Sequence, residues 1–255
     1  MPFLPALLFP LVLLLFSERK RAAMILGFFL VASCSFAARQ PAAVVQPEDR
    51  FENKSSMAAK IDYLLFLPPG YEKPDRSWPL ILYLHGAGEC GADLTLLKRN
   101  GPPKFVLSNP DFPFILVAPQ TKGGWDKQTL LTLLDDVVAK YRVEKHQIYL
   151  TGLSMGGGGA WDLATAHPER FAAVVPVSGV GDPTAAGKLA TLPIWVFHGD
   201  NDKIISVEWS RKMVAALKAA GGHVRYTEFP GAGHDIWAKT YDNPELYFWL
   251  LGQKH

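Results

Sequence analysis

One stretch of this 255-residue chain decides its fold: Ile148-Tyr149-Leu150-Thr151-Gly152-Leu153-Ser154-Met155-Gly156. Residues 147–151, which include the start of this stretch, are mostly apolar and predict a buried strand. The residues after Ser154, as far as His167-Pro168, predict a helix. The pentapeptide G-x-S-x-G between a strand and a helix is typical of a sharp turn, in which the two glycines leave room for a strained serine backbone. Such a turn presents the Ser154 hydroxyl at the carboxyl edge of a sheet, above the positive end of the following helix.

Strand and helix patterns alternate along the rest of the chain. Helical spacing predicts helices over residues 126–141, 206–220 and 243–251, with Asp126 and Ser206 as N-caps. Several apolar runs are continuous, as buried parallel strands are. The alternation predicts an α/β fold with a mostly parallel central sheet and helices on both faces. The other predicted strands are Ile61–Leu67, Leu80–Leu84, Phe114–Ala118, Ala172–Val177, Ile194–Phe197 and Val224–Phe229.

Two loops after predicted strands supply candidate partners for Ser154. A serine hydroxyl needs a base to take its proton, and the base needs a carboxylate to orient it. In this kind of fold the acid and then the histidine follow the serine along the chain. We therefore assign His234 as the base and Asp202 as the acid, with Asp200 and Asp235 open as alternatives for the acid. His198, directly at a strand end, is expected to hold the acid loop by hydrogen bonds.

A third loop, His85-Gly86-Ala87-Gly88-Glu89, follows the strand Leu80–Leu84. Its small residues allow a backbone N–H to face a substrate carbonyl, so the amides of Ala87 and Met155 are the predicted oxyanion hole. We interpret His85 and Glu89 as scaffold residues of this loop. Cys90, the next residue, lacks a matching base and is interpreted as an unpaired thiol.

Loop tryptophans and loop lengths bear on the substrate. Trp125 and Trp237 are predicted to line the substrate pocket, whereas Trp161 is expected in the core. After Gln147 only residues 178–192 form a connection long enough for a cap, and that stretch is small, polar and interrupted by proline. The sequence therefore predicts a minimal lid and no deep tunnel for long acyl chains.

Composition excludes several other classes of function. Hydrophobic residues make up 49% and charged residues 20% of the chain, which suits a large core. The net charge of +2 equals the contribution of residues 18–21, so the remainder has no basic surplus and nucleic acid is not an expected partner. Two cysteines, Cys34 and Cys90, form neither a disulfide framework nor a zinc site. The sequence predicts no metal and no cofactor.

The first 37 residues are predicted to be a signal peptide or a lipoprotein leader. Two apolar runs flank a basic cluster, and small residues follow the second run. Cleavage after Ala37 and lipidation of Cys34 both fit, and an uncleaved membrane anchor is the alternative. Residues 38–58 are predicted to be an irregular arm and residues 59–255 the catalytic domain. We expect an exported protein, periplasmic or secreted, that meets a membrane only through its leader or a lipid anchor.

From Leu80 to the C-terminus the chain resembles the alpha/beta-hydrolase superfamily. Within it, the chain is similar to the bacterial predicted-peptidase and phospholipase/carboxylesterase-like group, near the prolyl oligopeptidase and dienelactone hydrolase families. The resemblance implies acyl transfer to water through an acyl-serine, with Ser154, Asp202 and His234 as a triad. It departs from the pattern at Cys90, where an arginine is common, and at Ser206, where a proline is common. The residues that carry it are His85-Gly86-Ala87-Gly88-Glu89, Ala118-Pro119-Gln120 with Trp125, Ile148 to Gly157, His198-Gly199 with Asp202, and Gly233-His234-Asp235 with Trp237.

These observations predict a serine esterase that cleaves small to medium carboxylic esters, including esters linked to polysaccharides. A serine peptidase of the prolyl oligopeptidase-like type is the alternative within the same chemistry, although no segment of the sequence suggests extended peptide subsites. A non-catalytic binding module is the alternative from another class, and it normally lacks one residue of the triad. All three triad residues are present here.

Overall fold

The computed structural model describes residues 51–255, and these residues fold around one eight-stranded sheet with the strand order β1-β2-β4-β3-β5-β6-β7-β8. The first two pairings, β1 with β2 and β2 with β4, are antiparallel, and the other five are parallel. This confirms the predicted, mostly parallel sheet. The strands are β1 (Phe51–Ser56), β2 (Ile61–Phe66), β3 (Trp78–Leu84), β4 (Ile115–Pro119), β5 (Val143–Leu153), β6 (Ala173–Val177), β7 (Ile194–Gly199) and β8 (Val224–Phe229).

Helices cover both faces of the sheet, as the alternating pattern predicts. Every residue of β3, β4, β6 and β7 is buried, and apart from His198 in β7 these strands are hydrophobic on both faces. Buried side chains of α2, α3 and α4 form one core with the sheet, and those of α1, α5 and α6 form a second core on the other face. The helices are α1 (Gly101–Ser108), α2 (Lys127–Lys140), α3 (Met155–Ala166), α4 (Glu208–Ala219), α5 (Trp237–Tyr241) and α6 (Pro244–Leu251).

Two predicted helix starts differ in how well they match the structure. The Asp126 carboxylate accepts a hydrogen bond from Thr129 N at 2.8 Å and caps α2 as predicted. Ser206 is not the N-cap of α4, because Val207 occupies that position and is buried. The Ser206 hydroxyl still accepts a long hydrogen bond of 3.4 Å from Glu208 N. The prediction is wrong by one residue.

The predicted irregular arm, residues 38–58, contains part of the sheet and requires a correction. Residues 51–56 form the edge strand β1, which pairs with β2 from Phe51 opposite Phe66 to Ser56 opposite Ile61. The Phe51 and Phe66 rings pack with centroids 5.9 Å apart, which ties the strand to the core. The folded region therefore includes residues 51–58, which precede the predicted boundary at residue 59. The predicted leader, residues 1–37, lies outside the described residues.

The longest connection after β5 packs down onto the domain. Residues Pro183–Leu189 form a short 3-10 helix, and Ala186 and Leu189 within it are buried in the core that contains α3 and α4. This agrees with the predicted minimal lid. Across residues 51–255 there is no helix with both the length and the apolar character needed to cross a bilayer.

Candidate active site

The turn between β5 and α3 holds Ser154 in a strained conformation. Its φ is 53° and its ψ is −115°, a backbone conformation that residues other than glycine rarely adopt. A side chain at Gly156 would collide with the carbonyl oxygen of Leu84, and one at Gly152 would collide with the carbonyl of Gly156. Ser154 N donates to Val177 O at 2.8 Å, which ties the turn to β6. The glycines are required because backbones meet here, and the serine is left at the carboxyl edge of the sheet.

Three side chains from three loops form one hydrogen-bonded chain. Ser154 Oγ lies 2.8 Å from His234 Nε2, and His234 Nδ1 lies 2.6 Å from Asp202 Oδ2. An imidazole whose Nδ1–H donates to a carboxylate leaves Nε2 free to accept from the serine hydroxyl. The structure thus brings Ser154, His234 and Asp202 together. Of the two alternatives for the acid, Asp200 accepts from Gly231 N at 2.7 Å instead, and Asp235 is exposed.

The Asp202 carboxylate is buried and has partners for both oxygens. Its side chain has 0% exposure, and Oδ1 accepts from Ile204 N at 2.8 Å and Ile205 N at 2.9 Å. Burial opposes ionisation, but the hydrogen bonds from His234 and from these two amides outweigh it, so the pKa of Asp202 lies below its ordinary value. Asp202 is therefore anionic, as an orienting partner for His234 must be.

His198 lies behind Asp202 and is completely buried. Its Nε2 is 3.1 Å from Asp202 Oδ2 and 2.9 Å from Ile205 O, and its Nδ1 is 2.7 Å from Ser210 Oγ. Two acceptors face Nε2, so we assign the proton to that nitrogen, and Ser210 donates to Nδ1. Asp202 Oδ2 thereby accepts from two imidazoles. This is the position in the acid loop that the sequence suggests for His198.

The loop after β3 lies directly against the serine turn. A side chain at Gly86 would meet Leu153, and one at Gly156 would meet the carbonyls of residues 84 and 85, so the two backbones pack closely. Ala87 begins a 3-10 helix, Ala87–Glu89, and Met155 begins α3. The amide of a helix's first residue has no acceptor within that helix. The structure thus places both loops of the predicted oxyanion hole side by side, and the role of their amides stays a prediction.

His85 fixes this loop to the end of β4. Its Nδ1 lies 2.6 Å from Gly86 O, and its Nε2 accepts from Thr121 N at 3.1 Å. Burial lowers the pKa of His85, so the imidazole is neutral. Glu89, also buried, accepts a hydrogen bond from Asn100. Both residues occupy scaffold positions.

The two tryptophans predicted to line the pocket each contact a loop of the candidate site. The Trp237 ring meets His234 edge-on, with centroids 5.1 Å apart. Trp125 donates from its indole nitrogen to His85 O at 3.3 Å, and its ring packs on Gly159 so closely that no side chain would fit there. Both rings are partly exposed, whereas Trp161 is buried in the core as expected.

A cavity of about 580 Å³ opens beside Met155, the residue that follows Ser154. Trp125, Val180 and Trp209 give it an apolar lining, and Asp162 adds a carboxylate. Trp125 also borders a second, more polar cavity of about 590 Å³ near the ends of β2 and β4.

Sequence reasoning missed Trp209 as a candidate pocket residue. Its spacing to Met213 and Leu217 predicts one apolar stripe on α4, and those two side chains are buried. Trp209, one turn earlier, is 43% exposed. A large aromatic residue in the first turn after the acid loop is the signal that could have suggested it.

No cluster of metal-binding side chains was found among residues 51–255. The candidate site there consists of the serine, histidine and aspartate, two backbone amides and the adjacent aromatic cavity.

Known proteins provide an independent comparison. A family model described as the dienelactone hydrolase family matches residues 120–245. A probable feruloyl esterase C of Aspergillus terreus is 26% identical over 202 residues, which cover 71% of this chain and 74% of that protein. A bifunctional acetylxylan esterase/xylanase of Neocallimastix patriciarum is 25% identical over 146 residues, covering 51% of this chain and 20% of that protein.

A solved structure extends the comparison to the whole fold. The crystal structure of a thermostable esterase superposes with a TM-score of 0.70 at 31% identity, covering 81% of this chain. This chain spans 64% of the length of that esterase. The region that the family model matches, residues 120–245, contains the serine turn, the acid loop and the histidine loop. The fold is therefore that of the alpha/beta-hydrolase superfamily, and residues 120–245 are similar to the dienelactone hydrolase family.

Proposed function

We propose that this chain is a serine carboxylesterase, which hydrolyses carboxylic esters through an acyl intermediate on Ser154. One observation carries the proposal: the hydrogen-bonded chain from Ser154 through His234 to the buried, ionised Asp202. The esterases among the related proteins support the same class of reaction.

Acylation uses each of these groups in a distinct role. His234 Nε2 takes the proton of the Ser154 hydroxyl as Oγ attacks the ester carbonyl carbon, and Asp202 stabilises the imidazolium that forms. The amides of Ala87 and Met155 donate to the oxyanion, at the positive end of α3. His234 then gives the proton to the leaving oxygen as the carbon–oxygen bond breaks. The alcohol departs and the acyl group remains on Ser154.

Deacylation repeats the same steps with water. His234 takes a proton from a water molecule as its oxygen attacks the acyl carbon, and the same amides hold the second oxyanion. His234 returns that proton to Ser154 Oγ as the acyl–serine bond breaks. The products are a carboxylic acid and the free enzyme, and ester and water supply every atom of the reaction.

The substrates that fit best are small to medium esters, including esters carried by polysaccharides. The similar proteins named feruloyl esterase and acetylxylan esterase support that class. Esters are favoured over amides because an amide nitrogen must be protonated in a well-ordered geometry before it leaves, and extended peptide subsites normally enforce that geometry. The cavity beside Met155 is an open cleft lined by half-exposed side chains, which suits compact acyl groups.

Covalent labelling tests the nucleophile. A fluorophosphonate probe should label the protein, and Ser154→Ala should abolish both labelling and hydrolysis of an acetyl ester. Ser206→Ala, which alters an exposed serine outside the hydrogen-bonded chain, is the matched control and should keep both. Labelling that survives Ser154→Ala would overturn the assignment.

A parallel panel of acetyl, butyryl, octanoyl and palmitoyl esters of one phenol, with aminoacyl anilides, tests the substrate class, and faster cleavage of anilides would favour a peptidase.

Export is a second part of the proposal and rests on the apolar and basic pattern of residues 1–37. Protein made with its own leader in a bacterial host should begin at Ala38 or carry a diacylated Cys34, as read by mass spectrometry. Cys34→Ser separates the two routes, because it blocks lipidation and leaves the cleavage site intact. Soluble cytoplasmic protein with an intact terminus at Met1 or Met24 would contradict export.

A further inference from the structure

Ser178, the residue after β6, has a backbone conformation that its surroundings must impose. Its φ is 47°, and among residues 51–255 the other non-glycine residues with a positive φ are Lys60 and the predicted nucleophile Ser154. A residue with a side chain rarely adopts this conformation, whereas a glycine adopts it without strain. Such strain persists only where neighbouring contacts enforce it, and it is concentrated at functional sites. Ser178 is also completely buried, so its side chain is surrounded by protein.

The backbone at this position connects two loops of the candidate site. Val177 O accepts from Ser154 N at 2.8 Å, which ties the end of β6 to the serine turn. Ser178 N donates to Phe197 O at 2.9 Å, which ties the same segment to β7 just before the acid loop. Residues 177 and 178 therefore lie between the strand ends that carry the predicted nucleophile and its acid.

The hydroxyl of Ser178 faces the third loop, which carries the predicted base. Its Oγ lies 3.5 Å from His234 O, and the same carbonyl accepts from Ile236 N at 3.1 Å. The ring of His234 lies 2.8 Å from Ser154 Oγ and 2.6 Å from Asp202 Oδ2. A separation of 3.5 Å is long for two hydroxyl and carbonyl oxygens, but hydrogen bonds at catalytic sites often tighten only when substrate is bound. Ser178 thus contacts the backbone of the residue whose ring must transfer the proton.

The chain just before His234 has room to move. A side chain added at Gly231 or Gly233 would meet no atom within 4 Å, and glycine leaves the backbone its greatest freedom. Asn201 N holds Ala232 O at 2.9 Å, two residues before the base, and Ser178 supplies a contact at the base itself. A displacement of about 1 Å at a reacting group can cost about 100-fold in rate. The position of the His234 backbone therefore matters for proton transfer.

We propose that Ser178 is a positioning residue for the base. Its hydroxyl holds the His234 carbonyl, so that Nε2 stays aligned with Ser154 Oγ and with the leaving oxygen of the ester. The strained backbone is kept because the same residue links β7, the serine turn and the histidine loop. The proposal rests on the esterase function proposed above and adds to the triad a residue that acts through His234.

Two acetates that differ only in the leaving group test this role: ethyl acetate and 4-nitrophenyl acetate. The ethyl oxygen must receive a proton from His234 as it leaves, whereas 4-nitrophenolate leaves without one. Ser178→Ala removes the hydroxyl and should lower kcat/KM about 5- to 10-fold for ethyl acetate, the range expected for one lost hydrogen bond between neutral groups. It should lower kcat/KM less than about threefold for 4-nitrophenyl acetate, because only the proton transfer from Ser154 is then affected. A loss of folded protein would lower both rates by the same factor.

Three further variants separate the hydroxyl from the strain and from burial. Ser178→Gly removes the hydroxyl and also relieves the strained φ, so it provides the same test if Ser178→Ala does not fold. It should show the same dependence on the leaving group. Ser178→Cys keeps a weak donor and should hydrolyse ethyl acetate faster than Ser178→Ala. Ser56→Ala is the matched control, since Ser56 is a buried serine whose hydroxyl accepts from Ala59 N at 3.2 Å, and it should leave the ratio of the two rates unchanged.

Failure of this role and failure of the esterase function give different results. If the wild-type protein hydrolyses neither acetate and no ester of the phenol panel, the esterase function itself is overturned. If it hydrolyses both acetates while loss of the Ser178 hydroxyl slows neither, or slows both equally, only the positioning role is overturned. A leaving-group dependence in Ser178→Gly that is absent from a folded Ser178→Ala would assign the effect to the backbone conformation, and it would overturn the role of the hydroxyl.

Discussion

The acid loop and the aromatic cavity lie at the same edge of the sheet and are built in opposite ways. The Asp202 side chain has 0% exposure, and both of its oxygens are hydrogen-bonded. In the cavity, Val180 and Trp209 are 39% and 43% exposed, and their surfaces face open space. Groups that move protons need one geometry, which burial and hydrogen bonds impose. A surface that receives a ligand, by contrast, must stay open until the ligand covers it.

The largest expected effect comes from the buried acid loop, and it tests whether the reaction depends on the Asp202 carboxylate. Asp202→Asn should lower kcat by roughly 10² to 10⁴, because His234 loses the charge that orients it and stabilises its protonated form. Asp200→Asn is the matched control, since its carboxylate bonds to Gly231 N and does not touch His234. Steady-state kinetics on an acetyl ester measures both variants. If Asp200→Asn proves the more damaging, the acid has been assigned two residues too late.

A smaller effect is expected from substitution of His198, which donates to the Asp202 carboxylate. His198→Leu should lower kcat by about 10- to 100-fold with little change in KM, because Asp202 loses one donor and the Ser210 hydroxyl is left without its acceptor. The amide of His198→Gln can still donate toward Asp202, so this variant should recover most of the rate. His198 is thus a positioning residue that acts through Asp202.

A second measurement on these variants separates the effect of His198 on kcat from its contribution to folding stability. Thermal unfolding of His198→Leu and His198→Gln shows how much of the loss reflects folding alone. Equal kcat for the two variants at temperatures well below both transitions would mean that the donated hydrogen bond has no kinetic role. A rise in KM with unchanged kcat would move the effect from Asp202 to substrate binding.

The same contrast explains how much of the site the sequence could predict. Ser154, Asp202 and His234 each follow a predicted strand, and the carboxyl ends of parallel strands meet at one edge, so local patterns were enough to bring them together. Asp200 and Asp202 lie in the same loop, so the order of the motifs left both open, and the geometry of the hydrogen bonds favours Asp202, the preferred candidate.

Features that depend on tertiary surroundings could not be predicted in this way. Trp209 shares its spacing with two buried residues of α4, but its own side chain is 43% exposed and lines the cavity beside Met155. Edge strand β1 is polar over Glu52-Asn53-Lys54-Ser55, and only its pairing with β2 and the buried Phe51 make it a strand. Periodicity reports which residues are apolar, and exposure depends on what packs beside them.

The smallest expected effect concerns His85, which connects the cavity to the core of the domain. Its backbone carbonyl accepts a hydrogen bond from Trp125, which lines the cavity, and its buried ring accepts one from Thr121 N. Burial lowers the pKa of His85 in the folded protein below its unfolded value of about 6.5. Between those two pKa values the unfolded chain binds more protons than the folded one, so this residue's contribution to stability falls as pH falls below about 6.5. His85→Gln removes the titrating ring and keeps an acceptor for Thr121 N. Urea unfolding at about pH 7.5 and about pH 5.5 should therefore show a smaller acid-induced loss of unfolding free energy for His85→Gln than for the wild type. His223→Gln, at an exposed histidine, should follow the wild type. Equal losses for His85→Gln and the wild type would mean that the ring accepts a proton without cost, and the loop that holds Trp125 would then be less rigid than its hydrogen bonds suggest.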